Sequence, residues 1–362
     1  MEERLPDRPR KGRGAVGNPT GRFEREIRHA VDDGWGPAED DLPPLRTTVT
    51  DEKPRAIISR NASPDIFFNQ SINPYRGCEH GCIYCFARPT HAYMGLSPGL
   101  DFETRLFAKP DAALLLEKEL SKPGYVAQPI MLGANTDPYQ PIERDRKITR
   151  GILEVLARFR HPVMITTKSA LITRDLDILA PMAADRLVGV GISLTTLDKD
   201  LARRMEPRAA APYRRIETIA ALSAAGVPVS ALVSPVIPFL TESEIERILE
   251  AAAAAGARAA GYILLRLPLE LKELFTDWLE SHFPSRAHHV LNRLRESRDG
   301  QLYVAEFGAR MRGHGIFADL IEQRFRLACR KHGLISGHDR SMALDAGRFR
   351  VPPRPGDQLQ LL

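Results

Sequence analysis

The sequence predicts an α/β protein built on a parallel sheet, and three observations carry the prediction. Six short runs rich in aliphatic and β-branched residues alternate with helix-periodic segments between positions 66 and 267. Those runs are almost continuously apolar, as strands covered on both faces are. Strand–helix–strand units of roughly 30–45 residues join in parallel through right-handed crossovers. Six in succession give either a doubly wound open sheet or an incomplete barrel, and both bind ligands at the carboxyl ends of their strands.

Each element has a local cause. Residues 66–72 (IFFNQSI) read as the first strand, followed by a cysteine-bearing loop and a helix over 111–121. Residues 129–133 (PIMLG) form the second strand; Ile148, Ile152, Val155, Leu156 and Phe159 then recur at helical spacing over 145–159. The third strand is 163–167 (VMITT), and Thr173 reads as N-cap of a helix over 176–182. Residues 187–194 (LVGVGISL) are the fourth strand, before a helix over 212–225 that stops at Gly226. Residues 227–233 are the fifth strand, and Thr241-Glu242-Ser243-Glu244 reads as a capping box opening a helix over 242–255. Residues 261–267 (GYILLRL) close the series. Helices alone follow, over 269–283, 286–298 and 316–332, and the last 30 residues read as an irregular tail.

Composition bounds the class. Of 362 residues, 43% are hydrophobic and 27% charged, which excludes wholesale disorder. No run approaches the roughly 18 apolar residues of a membrane span, and the N-terminus MEERLPDRPRKGRG lacks the apolar stretch of a secretory signal. The expectation is a cytoplasmic protein without a membrane partner. We divide the chain into a flexible, Gly- and Pro-rich arm (1–60), an α/β core (61–268), a basic helical region (269–350) and a tail (351–362).

Four cysteines are no disulfide framework, and three of them, Cys78, Cys82 and Cys85, fall in the run NPYRGCEHGCIYCFAR. The spacing is C-x3-C-x2-C, with Gly77 and Gly81 permitting the tight turns that bring thiols together. Three cysteines leave one iron of a four-iron cluster without a protein ligand, and an open coordination position is where chemistry happens. Two blander readings compete: a structural zinc completed by His80 or His91, and three unrelated buried cysteines. Zinc sites usually draw a second pair of ligands from a separate segment, and none exists here, so a cluster is favoured.

With Tyr84 before the third cysteine, this loop after the first strand of a six-unit α/β core resembles the radical S-adenosylmethionine superfamily. NPYRGCEHGCIYCFAR and TDPYQPIE are similar to the branch related to spore photoproduct lyase. The resemblance spans roughly residues 64–267 and implies a partial (β/α)6, TIM-like barrel of parallel strands with a helical C-terminal extension. It implies that Cys78, Cys82 and Cys85 hold a [4Fe-4S] cluster whose fourth iron is chelated by S-adenosyl-L-methionine. Reductive cleavage would then give a 5′-deoxyadenosyl radical that abstracts hydrogen from a substrate, fed by a flavodoxin- or ferredoxin-type electron donor. The substrate does not transfer with the resemblance, because the lyase uses a further cysteine near the barrel mouth as hydrogen donor. Cys329, the remaining cysteine, lies at helical spacing with Phe325 and reads as core.

By the same resemblance, the strand ends line the cofactor site. Asn135-Thr136-Asp137 stands where the amino group is met, unless Asp137 merely caps a turn before Pro138. Lys168, ending the third strand after an apolar run, suits a cofactor carboxylate or an anionic substrate, or else reaches out to solvent from the barrel rim. Ser193 resembles a ribose contact, with a turn cap as the alternative. Glu206 and Arg208 recur at their place in the branch, where an arginine forks onto the cofactor carboxylate; a loop ion pair between the two is the competing account.

The net charge of +5 is local in origin, since residues 281–350 carry 13 Lys and Arg against 7 Asp and Glu. Arg286, His288, His289, Arg293, Arg295 and Arg298 share one helix, with Arg310, Arg312 and His314 in the next loop. Such a surface fits a nucleic acid or another anionic substrate, or is a solvated helix face. Two further function classes stay open at this point: a zinc-containing nucleic-acid-binding protein, and an electron-transfer protein whose cluster is completed by His80.

Overall fold

The structure is a computed structural model and describes residues 9–24, 45–337 and 344–353. Five short strands come first: β1 (Thr48–Asp51), β2 (Ser59–Arg60), β3 (Gln70–Ile72), β4 (Tyr75–Arg76) and β5 (Arg105–Ala108), with the single helical turn α1 (Asp101–Thr104) before β5. The repeating part runs α2 (Ala112–Leu120), β6 (Ile130–Leu132), α3 (Glu143–Arg146), α4 (Ile148–Arg158), β7 (Val163–Thr167), α5 (Leu176–Ala184) and β8 (Val188–Ser193). It continues with α6 (Lys199–Met205), α7 (Pro212–Ala224), β9 (Val229–Val236), α8 (Ile245–Ala254) and β10 (Ala259–Leu264). Then come α9 (Leu271–His282), α10 (Pro284–Glu296), α11 (Ala309–Arg312), α12 (Ile316–Lys331) and β11 (Ile335–Ser336).

The main sheet has the order β2-β3-β6-β7-β8-β9-β10-β11, and β3 through β11 are parallel. Strand order follows chain order without reversal, so the winding never switches direction. That excludes the doubly wound sheet, and the fold is an incomplete, unclosed TIM-like barrel with a helical C-terminal extension. Register brings the carboxyl ends level: Ile72 pairs with Leu132, Leu132 with Ile165, Thr167 with Ile192 and Ser193 with Leu232. Every loop that begins there opens on the same rim.

The core follows from the apolar runs. Ile72, Ile130, Val163, Ile165, Val188, Val190, Ile192, Val229 and Ala231 are all fully buried, and each large aliphatic among them contributes about 1.5–3 kcal/mol. The opposite face of the sheet mixes small and polar residues with a few larger ones. A Cβ on Gly191 would meet Leu232 Cδ1 at 2.8 Å and Thr166 Oγ1 at 3.4 Å, so Thr166, Gly191 and Leu232 share the concave side. Two residues on from Thr166 and Gly191, strand periodicity puts Lys168 and Ser193 on that side too.

A second core joins α9 and α10 to the cysteine loop. Trp278, Phe275, Leu271, Val290 and Leu294 pack with Ile83, Tyr84, Met205 and Ile237, and Trp278 Nε1 donates to the Arg204 carbonyl at 3.2 Å. In contrast, α12 packs into the barrel core through Ile321, Phe325 and the buried Cys329, whose thiol burial pushes up to about 11.

Several local expectations are corrected. The helix predicted over 145–159 is broken at Lys147, whose φ of 52° separates α3 from α4. Thr173 does not cap α5: its hydroxyl donates to the Ala170 carbonyl at 2.9 Å, and Ser169 caps the preceding 3₁₀ turn instead. The capping box at 241–244 does not form, because the Glu244 carboxylate accepts from Thr196 Oγ1 and from Leu197 N at 2.9 Å, in the loop after β8. The first strand shrinks to Gln70–Ile72. The predicted tail contributes β11, which pairs with β10, and a small sheet of order β1-β5-β4 was not expected at all.

Candidate active site

The cysteine loop is fixed from several directions. Gly77 and Gly81 take φ of 73° and 66°, and a Cβ on Gly81 would meet Glu103 Oε2 at 2.6 Å. Cys78 N donates to the Phe102 carbonyl at 2.9 Å, Ile83 N to Met205 O at 3.0 Å, and Arg208 N to His80 O at 3.3 Å. Beneath the loop Arg88 is completely buried. Its Nε reaches Cys82 O (2.8 Å), Nη1 reaches Pro98 O and Gly99 O (3.2 and 2.9 Å), and Nη2 reaches Gly81 O (3.0 Å) and Glu103 (2.5 Å). All five guanidinium N–H groups are therefore satisfied. Glu103 accepts in turn from Gly14 N and Ala15 N at 2.9 and 2.8 Å. Residues 13–17 of the expected arm are consequently buried against the loop without regular secondary structure.

Cys78 and Cys82 are buried, Cys85 is half-buried, and all are free thiols. Burial pushes the Cys78 thiol well up, and Asp137, Cys82 and Cys85 push it further. Burial likewise raises Cys82; Lys168 and Arg215 oppose it, while Glu206 and Cys85 reinforce it. The sequence-predicted residues thus converge: Asp137 lies near Cys78, and Lys168 and Glu206 near Cys82. Lys168 Nζ stands 5.8 Å from the centre of the Tyr84 ring.

The predicted residues divide into an internal frame and groups that face the mouth. Asp137 belongs to the frame: its oxygens accept from Thr167 Oγ1 (2.7 Å), Tyr139 N (2.9 Å) and Lys168 N (2.8 Å), and His80 Nδ1 lies at 3.2 Å. Burial raises its pKa, but His80 and these donors prevail and hold the carboxyl at about 2. Thr136 Oγ1 donates to Tyr75 O at 2.8 Å, and Asn135 N donates to Asn73 Oδ1 at 2.9 Å, leaving the Asn135 side chain half-exposed. Glu206 and Arg208 are not paired with each other. Glu206, buried, accepts from Tyr84 OH, from Thr195 Oγ1 at 2.8 Å and from Arg215, which also holds Ser193 O at 3.0 Å. Arg208 pairs with Glu79 at 3.2 Å and remains partly open to solvent. Arg88, Glu103 and Arg215 were not singled out from the sequence, because each acts through a partner that no local periodicity places beside it; His80, considered there as a metal ligand, is instead engaged by Asp137.

The donor set tests the competing metals. A tetrahedral zinc–thiolate site needs its sulfurs about 3.8 Å apart. No three His, Cys, Asp or Glu side chains among the described residues converge closely enough to hold a single ion. His80 is engaged by Asp137, and His91 is packed edge-on to Phe102 with Nε2 at the Arg105 carbonyl (2.9 Å). Among the described residues the three thiols are free neighbours, and the two histidines that would complete a zinc or cluster site are engaged elsewhere, which suits a three-thiolate site.

An incomplete parallel barrel with a C-x3-C-x2-C loop after its first parallel strand defines a class, and the chain belongs to the radical SAM superfamily, whose family profile matches residues 72–252. Among its relatives, an uncharacterized protein of Mycobacterium tuberculosis is 39% identical over 232 residues, covering 63% of this chain and 67% of that protein. An uncharacterized protein of Methanocaldococcus jannaschii is 27% identical over 222 residues, covering 61% and 79%. Spore photoproduct lyase complexed with dinucleoside spore photoproduct has a similar fold, with a TM-score of 0.57 and 13% identity over 80% of this chain and 81% of that one.

Proposed function

We propose that this radical SAM enzyme binds a [4Fe-4S] cluster through Cys78, Cys82 and Cys85 and S-adenosyl-L-methionine at the level rim of the strands. When bound, that pair supplies reductive cleavage of the sulfonium and hydrogen abstraction from a substrate. Electrons would come from a flavodoxin- or ferredoxin-type donor. The observation that carries the reading is the trio of free neighbouring thiols, two of them buried, with His80 and His91 engaged elsewhere among the described residues and Lys168 and Tyr84 alongside.

The chain's own groups have distinct tasks. Lys168 and Asn135 face the mouth and suit the carboxylate and ammonium ends of the cofactor. The Asp137 and Glu206 carboxylates act one step removed: Asp137 fixes the Lys168 main chain, while Glu206 holds the Tyr84 hydroxyl. Thr136 anchors its turn through Tyr75, and Ser193 ends its strand beside Arg215. Arg208 takes a carboxylate from the cofactor only by leaving Glu79. The second core of α9 and α10 closes the cysteine side of the site against water, which a radical reaction requires.

An anionic substrate, with a nucleic acid as the first candidate, completes the reading, though the C-terminal helix face supports it less than its composition suggests. Arg298 is buried, Arg293 pairs with Glu296, Arg312 with Glu322 and His314 with Asp299. Anaerobic purification followed by iron and sulfide analysis tests the cluster, and dithionite-driven formation of 5′-deoxyadenosine tests the chemistry. Both should vanish in Cys82→Ala. Full turnover by that variant, or zinc alone in oxygen-free protein, overturns the proposal.

A further inference from the structure

Two arginines at the end of β10 lack what a guanidinium needs. Among the described residues neither Arg266 nor Arg298 has a carboxylate within ion-pair distance, and each has a buried Nε without a hydrogen-bond partner. Arg298 is nevertheless fixed, because its remaining donors reach the carbonyls of Leu265 (2.8 Å), Arg310 (3.3 Å) and Ala309 (3.4 Å). Arg266 is held far less firmly. Its Nη1 meets the Met311 thioether at 2.9 Å, a weak acceptor, and its other polar partner is the neutral Tyr303 hydroxyl. The nearest carboxylate, Asp65, is already forked by Arg310, with Nε–Oδ2 at 2.6 Å. Asp65 is thus taken by Arg310 and reaches Arg266 only at longer range, while Arg298 feels the like charge of Arg266 instead. Burial accordingly lowers the pKa of Arg266 and brings that of Arg298 down to about 10.

A half-buried cation is costly unless an anion compensates it. The location says which anion would. Arg266 lies two residues beyond β10, on the carboxyl-end rim, and its Cζ is 5.0 Å from the ring centre of Phe86, the residue after Cys85. Phe86 as a residue is 46% exposed. A guanidinium short of strong acceptors, stacked on one face of a half-exposed aromatic residue, matches a phosphate attached to a flat ring.

We infer that Arg266, backed by Arg298 and flanked by Phe86, is the substrate's phosphate anchor, and that the substrate is a nucleotide or a nucleotide unit of a strand. This rests on the enzyme reading above and adds the subsite next to Cys85. The test uses the full-length chain, with and without reconstituted cluster, titrated calorimetrically with thymidine, thymidine 5′-monophosphate and a single-stranded dodecathymidylate. The monophosphate should bind at least about tenfold tighter than the nucleoside, and Arg266→Met should abolish that difference while Arg286→Met keeps it. If the source is a strand, the dodecamer should bind tighter still, with a salt dependence that weakens by about one phosphate in Arg266→Met. Without ligand, Arg266→Met should melt at the same temperature or higher, since it removes an uncompensated cation. Equal binding of nucleoside and monophosphate, or a variant that melts lower with unchanged phosphate preference, overturns the anchor. Substrate-free formation of 5′-deoxyadenosine reads the underlying enzyme activity separately, so the two failures are distinguishable.

Discussion

Arg88 shows how one side chain can hold a reactive loop without touching its chemistry. It ties the carbonyls of Gly81 and Cys82 to those of Pro98 and Gly99, and its carboxylate partner Glu103 carries residues 14 and 15. Arg88→Met would strand a buried carboxylate and four carbonyls, at a cost of about 3–5 kcal/mol. The urea midpoint should fall accordingly, and iron incorporation should fall with it even though all three cysteines are intact. An unchanged midpoint would remove Arg88 from this role. Tyr84, Lys168 and the three cysteines were legible because they sit in one short run or at a strand end. Arg88–Glu103 and Arg215–Glu206 were not, since the pairing of long side chains across a fold leaves no local pattern.

At the scale of elements, periodicity located the repeating strands β3 and β6 to β10 and the long helices, with β7 at its predicted bounds, but none of the short strands β1, β2, β4 and β5. The failures came where a polar side chain had two possible partners. Glu244 suits a capping box by its spacing, yet it crosses to the loop after β8 and binds Thr196 and Leu197. It therefore couples α8 to the segment leading into α6. Glu244→Ala should cost about 1.5–3 kcal/mol, the worth of hydrogen bonds to a charged group, and should raise amide exchange in residues 196–201. Raised exchange confined to the start of α8 would show that the helix cap had been the real role. The edge strand β11 was illegible because two residues carry no periodicity.

Across the whole molecule, unidirectional winding leaves an open sheet whose rim is lined by functional loops at one end and clasped by the C-terminal segment at the other. Phe349 packs against Phe159, Tyr125 and His161. His161 is buried, with Nε2 2.9 Å from the Tyr125 hydroxyl and Nδ1 3.0 Å from the Pro162 carbonyl, and burial lowers its pKa to about 4. The folded state resists protonation that the unfolded chain accepts near pH 6.5. Stability from this group is complete above pH 6.5 and is lost as pH falls toward 4, by roughly 3 kcal/mol at most. Urea midpoints should drop across that window in the wild type and less in His161→Asn; parallel profiles would assign the acid sensitivity elsewhere. No helix among the described residues is long and apolar enough to cross a membrane.

The hydrogen bonds from Ile83 N to Met205 O and from Arg208 N to His80 O set a schedule for biogenesis. A ribosome delivers the cysteines well over a hundred residues before it delivers the backbone that shapes them. The nascent thiols must wait, unsheltered, until the stretch through Arg215 has emerged. Under the proposed function, delivery of iron and sulfide would be confined to late synthesis or afterwards, and a chain stalled before that point would present its thiols to any passing oxidant.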